Sequence, residues 1–450
     1  MSDSTPQSEL TRLDLENLWH PILQHHGIEA HMPRQIVSGD GVFITDSNGE
    51  RFLDGVSGLW CVNVGYGRTE LADVAHEQMT RLPYAPGTFT AEPVAKLAAR
   101  LIEMLGYPGK VYFTNSGSEA NEAAFKIARQ YHAQTGSPGR YKIIARYRGY
   151  HGNTLGALSA TGQAERRNGY GPFVPGFLHI DAPDSYRVTH DCAAQLERTI
   201  EREGADTVAA FIMEPIIAGG GVLVPPDDYM RRVREICDRH GVLMIVDEVV
   251  TGFGRIGAPF AVTAAGVEPD MLTLGKGFAS GYQPMAGLVA KQHVFEAFEG
   301  EPGDLKHFRH VNTYGGHPVA AAVALRNLEI IEREGLVERV AKTGDALLTR
   351  LRGLESHPNV GEVRGRGLLL GIELVADKAT QEPLSAADTG AVVAHCLRKG
   401  VIIGKATNTT PGLGNVLILA PPFVLSEDEA DLLASTLETA IREELPSAAR

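Results

Sequence analysis

Residues 242–257 read VLMIVDEVVTGFGRIG, and this stretch decides the class of fold. An uninterrupted apolar run, VLMIV, ends in two acids, Asp247 and Glu248. Because no polar residue alternates with the apolar ones, the run predicts a strand that is buried on both faces. Acids at the carboxyl end of such a strand lie where open α/β sheets bind their ligands. The stretch therefore predicts a parallel sheet with a ligand site at one edge.

Similar apolar runs occur on both sides of this stretch and alternate with helical patterns. They are VYFTN (111–115), YKIIARY (141–147), VAAFIMEP (208–215), MLTLGK (271–276) and AGLVA (286–290). This alternation predicts an α/β domain built on a mainly parallel sheet. After about residue 330 the pattern changes to helices flanking VGEVRGRGLLLGIELV and NVLILAPPF, which predicts a smaller α+β domain.

We expect three parts along the chain, since 450 residues exceed what one core normally serves. Residues 1–59 form an N-terminal segment, with a hairpin turning at Asn48-Gly49, that packs with the small domain. Residues 60–328 form the large domain, and residues 329–450 form the small one.

Composition excludes several classes of protein. The formal net charge of −13 argues against general binding to nucleic acid or anionic membranes. The four cysteines are widely spaced, and the histidines show no metal-ligand spacing, so we expect neither disulfides nor a metal site. No apolar run approaches 18 residues and no secretory signal pattern is present, so we expect a soluble, cytoplasmic protein.

FTNSGSEANE (113–122) predicts a strand, a turn and the start of a helix. Ser116 and Glu119 fit a capping box. The free amides of the helix start, with Gly117 allowing close approach and Ser118 offering a hydroxyl, make an anion site that suits a phosphate. A capped helix without a ligand explains the same pattern.

Lys276 stands between Gly275 and Gly277, directly after a buried apolar run. The glycines indicate a tight, bare turn around the amine. Such a turn suits a lysine whose amine must meet another bulky group at close range.

Three further residues have both a functional and a structural interpretation. Asp247 suits the protonated nitrogen of a heteroaromatic ring, or else an ion pair with a residue such as Arg255. Tyr150, which precedes His151 in a glycine-flanked loop, suits stacking on a flat ring or simple packing. Thr313, in the segment HVNTYGGHP, suits donation to an anion or a loop role.

A rival hypothesis comes from Gly252, Gly254 and Gly257, which form a G-x-G-x-x-G pattern. That fingerprint indicates a dinucleotide-binding enzyme only where a long helix follows the glycines. Pro259 follows almost at once, and no helical stripe follows it, so the sequence disfavours this hypothesis.

Taken together, a phosphate cradle, a strand-end aspartate, a stacking aromatic residue and a glycine-flanked lysine are what pyridoxal phosphate requires. Lys276 would form a Schiff base with its aldehyde. Asp247 would keep the ring nitrogen protonated, so that the ring acts as an electron sink.

The ordered motifs NSGSEANE, YHG, EPI, DEVVTGFGR, LGKG and NTYGGHP cover most of the chain, and they resemble class III aminotransferases of pyridoxal-phosphate fold type I. The resemblance implies a seven-stranded sheet in the large domain and a ping-pong reaction through an internal aldimine. It also implies a role for each site residue. Lys276 would form the aldimine and carry the proton, Asp247 would pair with the ring nitrogen, and Val249 would lie under the ring. Gly117 and Ser118 would bind the phosphate, Tyr150 would stack on the ring, and Thr313 would contact the phosphate of the neighbouring subunit. The last role implies a homodimer with active sites at its interface.

Within that family, SGLWCVNVGYG, which contains Trp60, resembles ω-aminotransferases that use pyruvate, and longer stretches are similar to taurine–pyruvate aminotransferases. Trp60 and Tyr150 would line the substrate pocket; a core tryptophan is the alternative for Trp60. Gly219 replaces a glutamate of the ornithine and 4-aminobutyrate types, and no arginine lies between Lys405 and Pro421. Both departures disfavour 2-oxoglutarate and leave the residue that binds the substrate's acid group unassigned.

The amine donor stays open between taurine, β-alanine, a diamine and an aryl-alkyl amine. A fold-type I aminomutase or decarboxylase, or a transaminase that uses 2-oxoglutarate, remains the alternative reading of the reaction.

Overall fold

The computed structural model describes residues 6–28, 32–406 and 409–445. Its helices are α1 Pro6–Asn17, α2 Ser57–Trp60, α3 Thr69–Arg81, α4 Glu92–Leu105, α5 Gly117–Gln134, α6 Leu155–Ala160, α7 Ala164–Arg167, α8 Cys192–Glu203, α9 Tyr229–His240, α10 Ala261–Ala265, α11 Gln292–Glu296, α12 Pro318–Arg333, α13 Leu336–Arg352, α14 Ala386–Arg398 and α15 Glu427–Glu444. Its strands are β1 Ile36–Asp40, β2 Phe43–Asp46, β3 Arg51–Asp54, β4 Gly109–Thr114, β5 Lys142–Arg146, β6 Phe177–Ile180, β7 Val208–Met213, β8 Leu243–Asp247, β9 Met271–Leu274, β10 Ala286–Lys291, β11 Val360–Arg366, β12 Leu369–Asp377, β13 Glu382–Pro383, β14 Val401–Ile402, β15 Gly404–Lys405 and β16 Val416–Leu419.

The central sheet has seven strands in the order β4-β10-β9-β8-β7-β5-β6. All adjacent pairs from β9 to β6 are parallel, while β10 runs antiparallel to both of its neighbours. The predicted seven-stranded, mainly parallel α/β sheet is therefore confirmed. β6 is the strand that the apolar runs did not indicate. It lies at the sheet's edge and is mostly half-buried, so its sequence lacks the continuous apolar character of an inner strand.

The inner strands are apolar because both faces of the sheet are covered. Every residue of β7, β8 and β9 is buried. The helix α5 lies against this sheet through a buried face that includes Ala120, Ala124 and Ile127. The predicted link between uninterrupted apolar runs and double-sided burial holds for these strands.

Parallel strands place their carboxyl ends at one edge of the sheet. β4 leads there into the start of α5, β8 ends in Asp247, and β9 leads into Lys276. This arrangement gathers residues far apart in the sequence around one depression.

The chain has two smaller sheets. The first runs β11-β12-β16-β15, with β13 pairing to β12, and all its pairs are antiparallel. The second runs β1-β2-β3-β14, so the N-terminal hairpin pairs in parallel with a C-terminal strand. The hairpin prediction is confirmed, with Gly49 at a φ of 82° in its turn. Domain boundaries at residues 59 and 328 stay a prediction.

Over the described part of the chain, none of the helices combines the length and the apolar character needed to cross a membrane.

Candidate active site

A cavity of about 410 Å³ lies at the carboxyl edge of the central sheet. Seven of the residues predicted from sequence line it, namely Trp60, Gly117, Ser118, Tyr150, Asp247, Val249 and Lys276. Thr313 is not among the described residues that line this cavity; it is exposed, and its carbonyl accepts a hydrogen bond from the Tyr84 hydroxyl at 2.9 Å. The fold thus brings together every predicted site residue except the one expected to act on a neighbouring subunit.

The start of α5 forms one wall of the cavity. The Ser116 hydroxyl accepts from the Glu119 amide at 3.3 Å, as the capping-box pattern predicts. The other half of the predicted box is wrong, because the Glu119 carboxylate accepts from the amide of Asn115 at 2.7 Å. Ser118 exchanges hydrogen bonds with Asn153, at 3.1 Å to its side-chain oxygen and 3.2 Å from its amide.

Small residues let backbone approach closely at this wall. A Cβ on Gly117 would meet Val249 Cγ2 at 3.0 Å. A Cβ on Gly152, whose φ is 134°, would meet Ser118 Oγ at 2.5 Å. Exposed amides at the start of an 18-residue helix, packed this closely, suit a phosphate group.

Asp247 is held in a single orientation by three donors. Oδ2 accepts from Asn121 Nδ2 at 2.8 Å and from His151 Nδ1 at 2.9 Å, while Oδ1 accepts from the Val249 amide at 3.1 Å. The alternative partner Arg255 points elsewhere and donates to the carbonyls of Leu368 and Pro421 and to Asn63. The ion-pair interpretation of Asp247 with Arg255 is therefore wrong.

Sequence reasoning did not single out Asn121. Its amide nitrogen also donates to the His151 carbonyl at 2.7 Å, and its oxygen accepts from Thr273 Oγ1 at 2.9 Å. Asn121 is a polar residue on the buried face of α5, between Ala120 and the alanines of the next turn. A polar side chain on an otherwise apolar helix face is the signal that would have identified it.

Glu214, from the EPI motif, was also missed as a site residue. It lines the cavity and is buried, accepting from the amides of Tyr150 at 2.9 Å and Ala218 at 3.1 Å. Burial raises the pKa of its carboxyl group. Glu214 thereby ties the loop that carries Tyr150 to the loop that carries Gly219.

Lys276 has a left-handed backbone conformation, with φ at 46°. Such a conformation is uncommon for a residue other than glycine and accumulates at functional sites. Its Nζ lies 4.7 Å from the centroid of a Trp60 ring. Burial lowers the pKa of the amine, although the negative charges of Glu214 and Asp247 oppose the shift. A lowered pKa increases the neutral, nucleophilic fraction of a lysine.

The two glycines beside Lys276 have packing roles. A Cβ on Gly277 would meet Asn63 Nδ2 at 2.1 Å, and one on Gly275 would meet Val249 Cγ1 at 3.3 Å. Asn63 and Val249 therefore occupy the space where side chains would stand, which explains the two glycines of the predicted turn.

Trp60 and Gly219 are neighbours in the cavity wall. A Cβ on Gly219 would lie 3.4 Å from Trp60 Cη2. Trp60 has a φ of 60° and is partly buried, so it lines the cavity wall as predicted.

This set of groups fits pyridoxal phosphate on its own chemistry. It offers an amine of lowered pKa, a fixed carboxylate and a helix start with free amides, all on the wall of one cavity. The glycine pattern of residues 252–257 ends in turns and the short helix α10, which does not fit a dinucleotide fingerprint.

Comparison with known proteins gives consistent matches. The model of the class III aminotransferase family matches residues 26–441. An uncharacterized aminotransferase, YhxA, of Bacillus subtilis (strain 168) is 51% identical over 95% of this chain and 96% of its own. Taurine–pyruvate aminotransferase of Rhodobacter capsulatus is 43% identical over 95% of this chain and 96% of its own. A crystal structure of a Bacillus anthracis aminotransferase superposes with a TM-score of 0.94 at 48% identity, covering 98% of this chain and all of that one.

Proposed function

The chain belongs to the class III aminotransferases and is a pyridoxal-phosphate-dependent enzyme of fold type I, and on this premise we propose that it moves an amino group from a small ω-amino acid, such as taurine or β-alanine, to pyruvate. The observation that carries the proposal is the cavity in which Lys276 and Asp247 face a helix start suited to phosphate. The reaction is proposed to be ping-pong: the donor leaves its amino group on the enzyme, and the keto acid collects it.

We propose the following positions for the cofactor. Lys276 binds it covalently, Asp247 bonds to its ring nitrogen, and Val249 packs against one face of the ring. Tyr150 packs against the ring as well, and the turn of Gly117 and Ser118 binds the phosphate. In support, all six residues line one cavity, and three donors fix the carboxylate of Asp247.

When bound, pyridoxal phosphate supplies an aldehyde that condenses with amines and a ring that delocalises the electrons of a carbon–hydrogen bond. The protein's own part is to place and move protons. Lys276 Nζ, once displaced by a substrate amine, would take the proton from the amine-bearing carbon of the substrate and would deliver it to the former aldehyde carbon. Asn121, His151 and the Val249 amide all donate to Asp247 and fix the orientation of its carboxylate, which would lie beside the ring nitrogen.

Four observations support pyruvate over 2-oxoglutarate. Gly219 offers no carboxylate to hold an arginine in the pocket, and no arginine lies between Lys405 and Pro421. The bulk of Trp60 beside Gly219 limits the cavity and suits a small substrate. One relative, 43% identical over nearly its full length, is named for transfer from taurine to pyruvate.

We further propose a homodimer in which Thr313 contacts the phosphate bound by the neighbouring subunit. Thr313 is exposed beside Val311 and Tyr314, which are 84% and 60% exposed. Tyr84 lies with its ring 6.1 Å from that of Tyr314 and adds to this apolar surface. Leu59, 77% exposed, lines the cavity itself. Exposed apolar residues grouped in this way are typical of a protein–protein interface.

Product analysis tests the proposed reaction. The purified enzyme with added pyridoxal phosphate is incubated with taurine or β-alanine and either pyruvate or 2-oxoglutarate. We expect alanine from pyruvate and little glutamate from 2-oxoglutarate. Repeated turnover without any keto acid, beyond one product per active site, would instead indicate an aminomutase or a decarboxylase, and glutamate as the main product would overturn the assignment of pyruvate.

A further inference from the structure

Among the described residues that line the cavity, none offers a free cation for the acid group of an acid-bearing amine donor. Among the described residues that line it, the charged side chains are Glu214, Asp247 and Lys276. Glu214 and Asp247 are acids and offer no positive charge to an anion, and Lys276 is proposed to hold the cofactor. A sulfonate or carboxylate that is partly desolvated in this cavity needs a paired cation, because leaving it unpaired is costly. The cation must therefore belong to a residue outside this lining set.

Arg166 lies close enough to the cavity to supply this cation. Its guanidinium carbon lies 6.0 Å from the centroid of the Tyr150 ring, and Tyr150 lines the cavity. Its Nε is buried and has no hydrogen-bond partner within the described ranges. A cation–π contact at this distance is at the outer limit of such interactions and holds the side chain weakly. Arg166 is therefore a half-buried residue beside the cavity wall, and its buried Nε is free to donate a hydrogen bond.

The backbone that carries Arg166 is fixed. Gln163 Nε2 donates to the Arg148 carbonyl at 3.0 Å, and the Ala164 amide donates to the Thr409 carbonyl at 3.0 Å. These bonds anchor the start of α7. Because the backbone is fixed and the guanidinium group is weakly held, the Arg166 side chain can turn toward a ligand without moving the helix.

Arg167, the next residue, offers a natural comparison. Its guanidinium carbon lies 4.4 Å from the centroid of the Phe173 ring, so its side chain is stacked on a different aromatic group. The two arginines of this short helix thus differ in their aromatic partner. Arg166 lies against Tyr150 of the cavity wall, whereas Arg167 lies against Phe173.

We propose that Arg166 binds the sulfonate or carboxylate of the amine donor, so that amines carrying an acid group are the preferred donor class. The planar guanidinium fork matches both acid groups and can bond to two of their oxygens at once. This inference rests on the proposed function, since it assigns the anchor that the proposed donors require.

The test compares two donors in the first half-reaction. Holoenzyme is mixed with β-alanine or with propylamine, its analogue without the acid group, in the absence of a keto acid. The loss of the visible absorbance of the lysine-bound cofactor gives the rate for each. In Arg166→Met, we expect the preference for β-alanine over propylamine to fall at least about tenfold, as the loss of a charged hydrogen bond implies. Arg166→Lys retains the charge and is expected to retain part of the preference, while the control Arg167→Met retains all of it.

A binding measurement separates anchoring from catalysis. Isethionate, the hydroxy analogue of taurine, has the sulfonate but no amine to react. By calorimetry, we expect its dissociation constant for the holoenzyme to rise at least about tenfold in Arg166→Met and to stay unchanged in Arg167→Met. An unchanged preference in Arg166→Met, or equal losses for both amines, would overturn the role of Arg166 alone. If the native enzyme binds the cofactor yet reacts with neither amine, the proposed function fails and the inference fails with it.

Discussion

His151 Nδ1 lies 2.9 Å from Oδ2 of Asp247, and both residues are buried at the carboxyl end of β8. Asn121 donates to the same oxygen at 2.8 Å. These two donors fix the orientation of the Asp247 carboxylate. The site therefore holds a carboxylate in the position proposed for the partner of the cofactor's ring nitrogen.

Replacing Asp247 by asparagine removes this charge with little change in shape. We expect the variant to keep its cofactor, because Lys276 and the start of α5 still bind it, but to lose at least about 100-fold in turnover, as for other preorganised electrostatic groups. The control is Asp270→Asn, which alters another buried aspartate, one paired with Arg234. We expect the control to lower thermal stability with little loss of turnover. Near-normal turnover in Asp247→Asn would refute the role of Asp247.

Gly277 is required because Asn63 occupies the space beside it. A Cβ at Gly277 would lie 2.1 Å from Asn63 Nδ2, and Asn63 is itself held by Arg255 at 2.8 Å. We expect Gly277→Ala to lower the free energy of unfolding by about 1–3 kcal/mol, in the range of overpacked sites. The control is Gly353→Ala, where a Cβ meets nothing within 4 Å and φ is −57°. Equal stability of the two variants in denaturant unfolding would contradict this packing account.

Glu248 predicts a pH dependence of stability. Burial raises the pKa of this carboxyl group to about 7. A carboxyl whose pKa is higher in the folded state binds protons more tightly there, so its contribution to stability falls as pH rises from its unfolded pKa, about 4.3, to about 7. Glu248→Gln does not titrate. We expect the difference in melting temperature between native protein and variant to shift in favour of the variant between pH 5 and pH 8; a constant difference would show that Glu248 does not titrate in this range.

Trp60 sets the size of the donor. Replacing it by alanine opens the wall beside Gly219, and we expect 1-phenylethylamine to gain at least about tenfold in kcat/KM relative to β-alanine. Gly219→Ala should act in the opposite direction, because its Cβ would reach Trp60 Cη2 at 3.4 Å and Gln163 Nε2 at 3.3 Å. Steady-state kinetics with both amines measure the effect. Parallel changes for the two amines would show that Trp60 does not select by size.

Much of this architecture follows from the sequence because inner strands and helix starts carry strong local signals. The run ending at Asp247 predicts both the strand and the position of the acid at its end. Motif order likewise predicts which residues share the cavity. The apolar runs did not predict β6, because this edge strand is mostly half-buried and has no uninterrupted apolar run.

Contacts between segments distant in the sequence could not be predicted from local patterns. The donation from Asn121 on α5 to Asp247 on β8 joins positions 126 residues apart. The fit of Asn63 against Gly277 and the position of Arg166 beside Tyr150 are likewise products of tertiary packing. Local patterns show residue types and their periodicity, and these pairings depend on which elements the fold brings side by side.

The central claim is that Lys276 binds pyridoxal phosphate covalently and that the enzyme moves an amino group from an acid-bearing amine to pyruvate. The visible absorbance spectrum of the purified protein tests it most directly, recorded with pyridoxal phosphate, then with taurine, then with pyruvate. We predict a band of the lysine-bound cofactor that taurine removes and pyruvate restores, and that is absent in Lys276→Ala although this variant still folds. No such band in the native protein, or the same band and turnover in Lys276→Ala, would contradict the account.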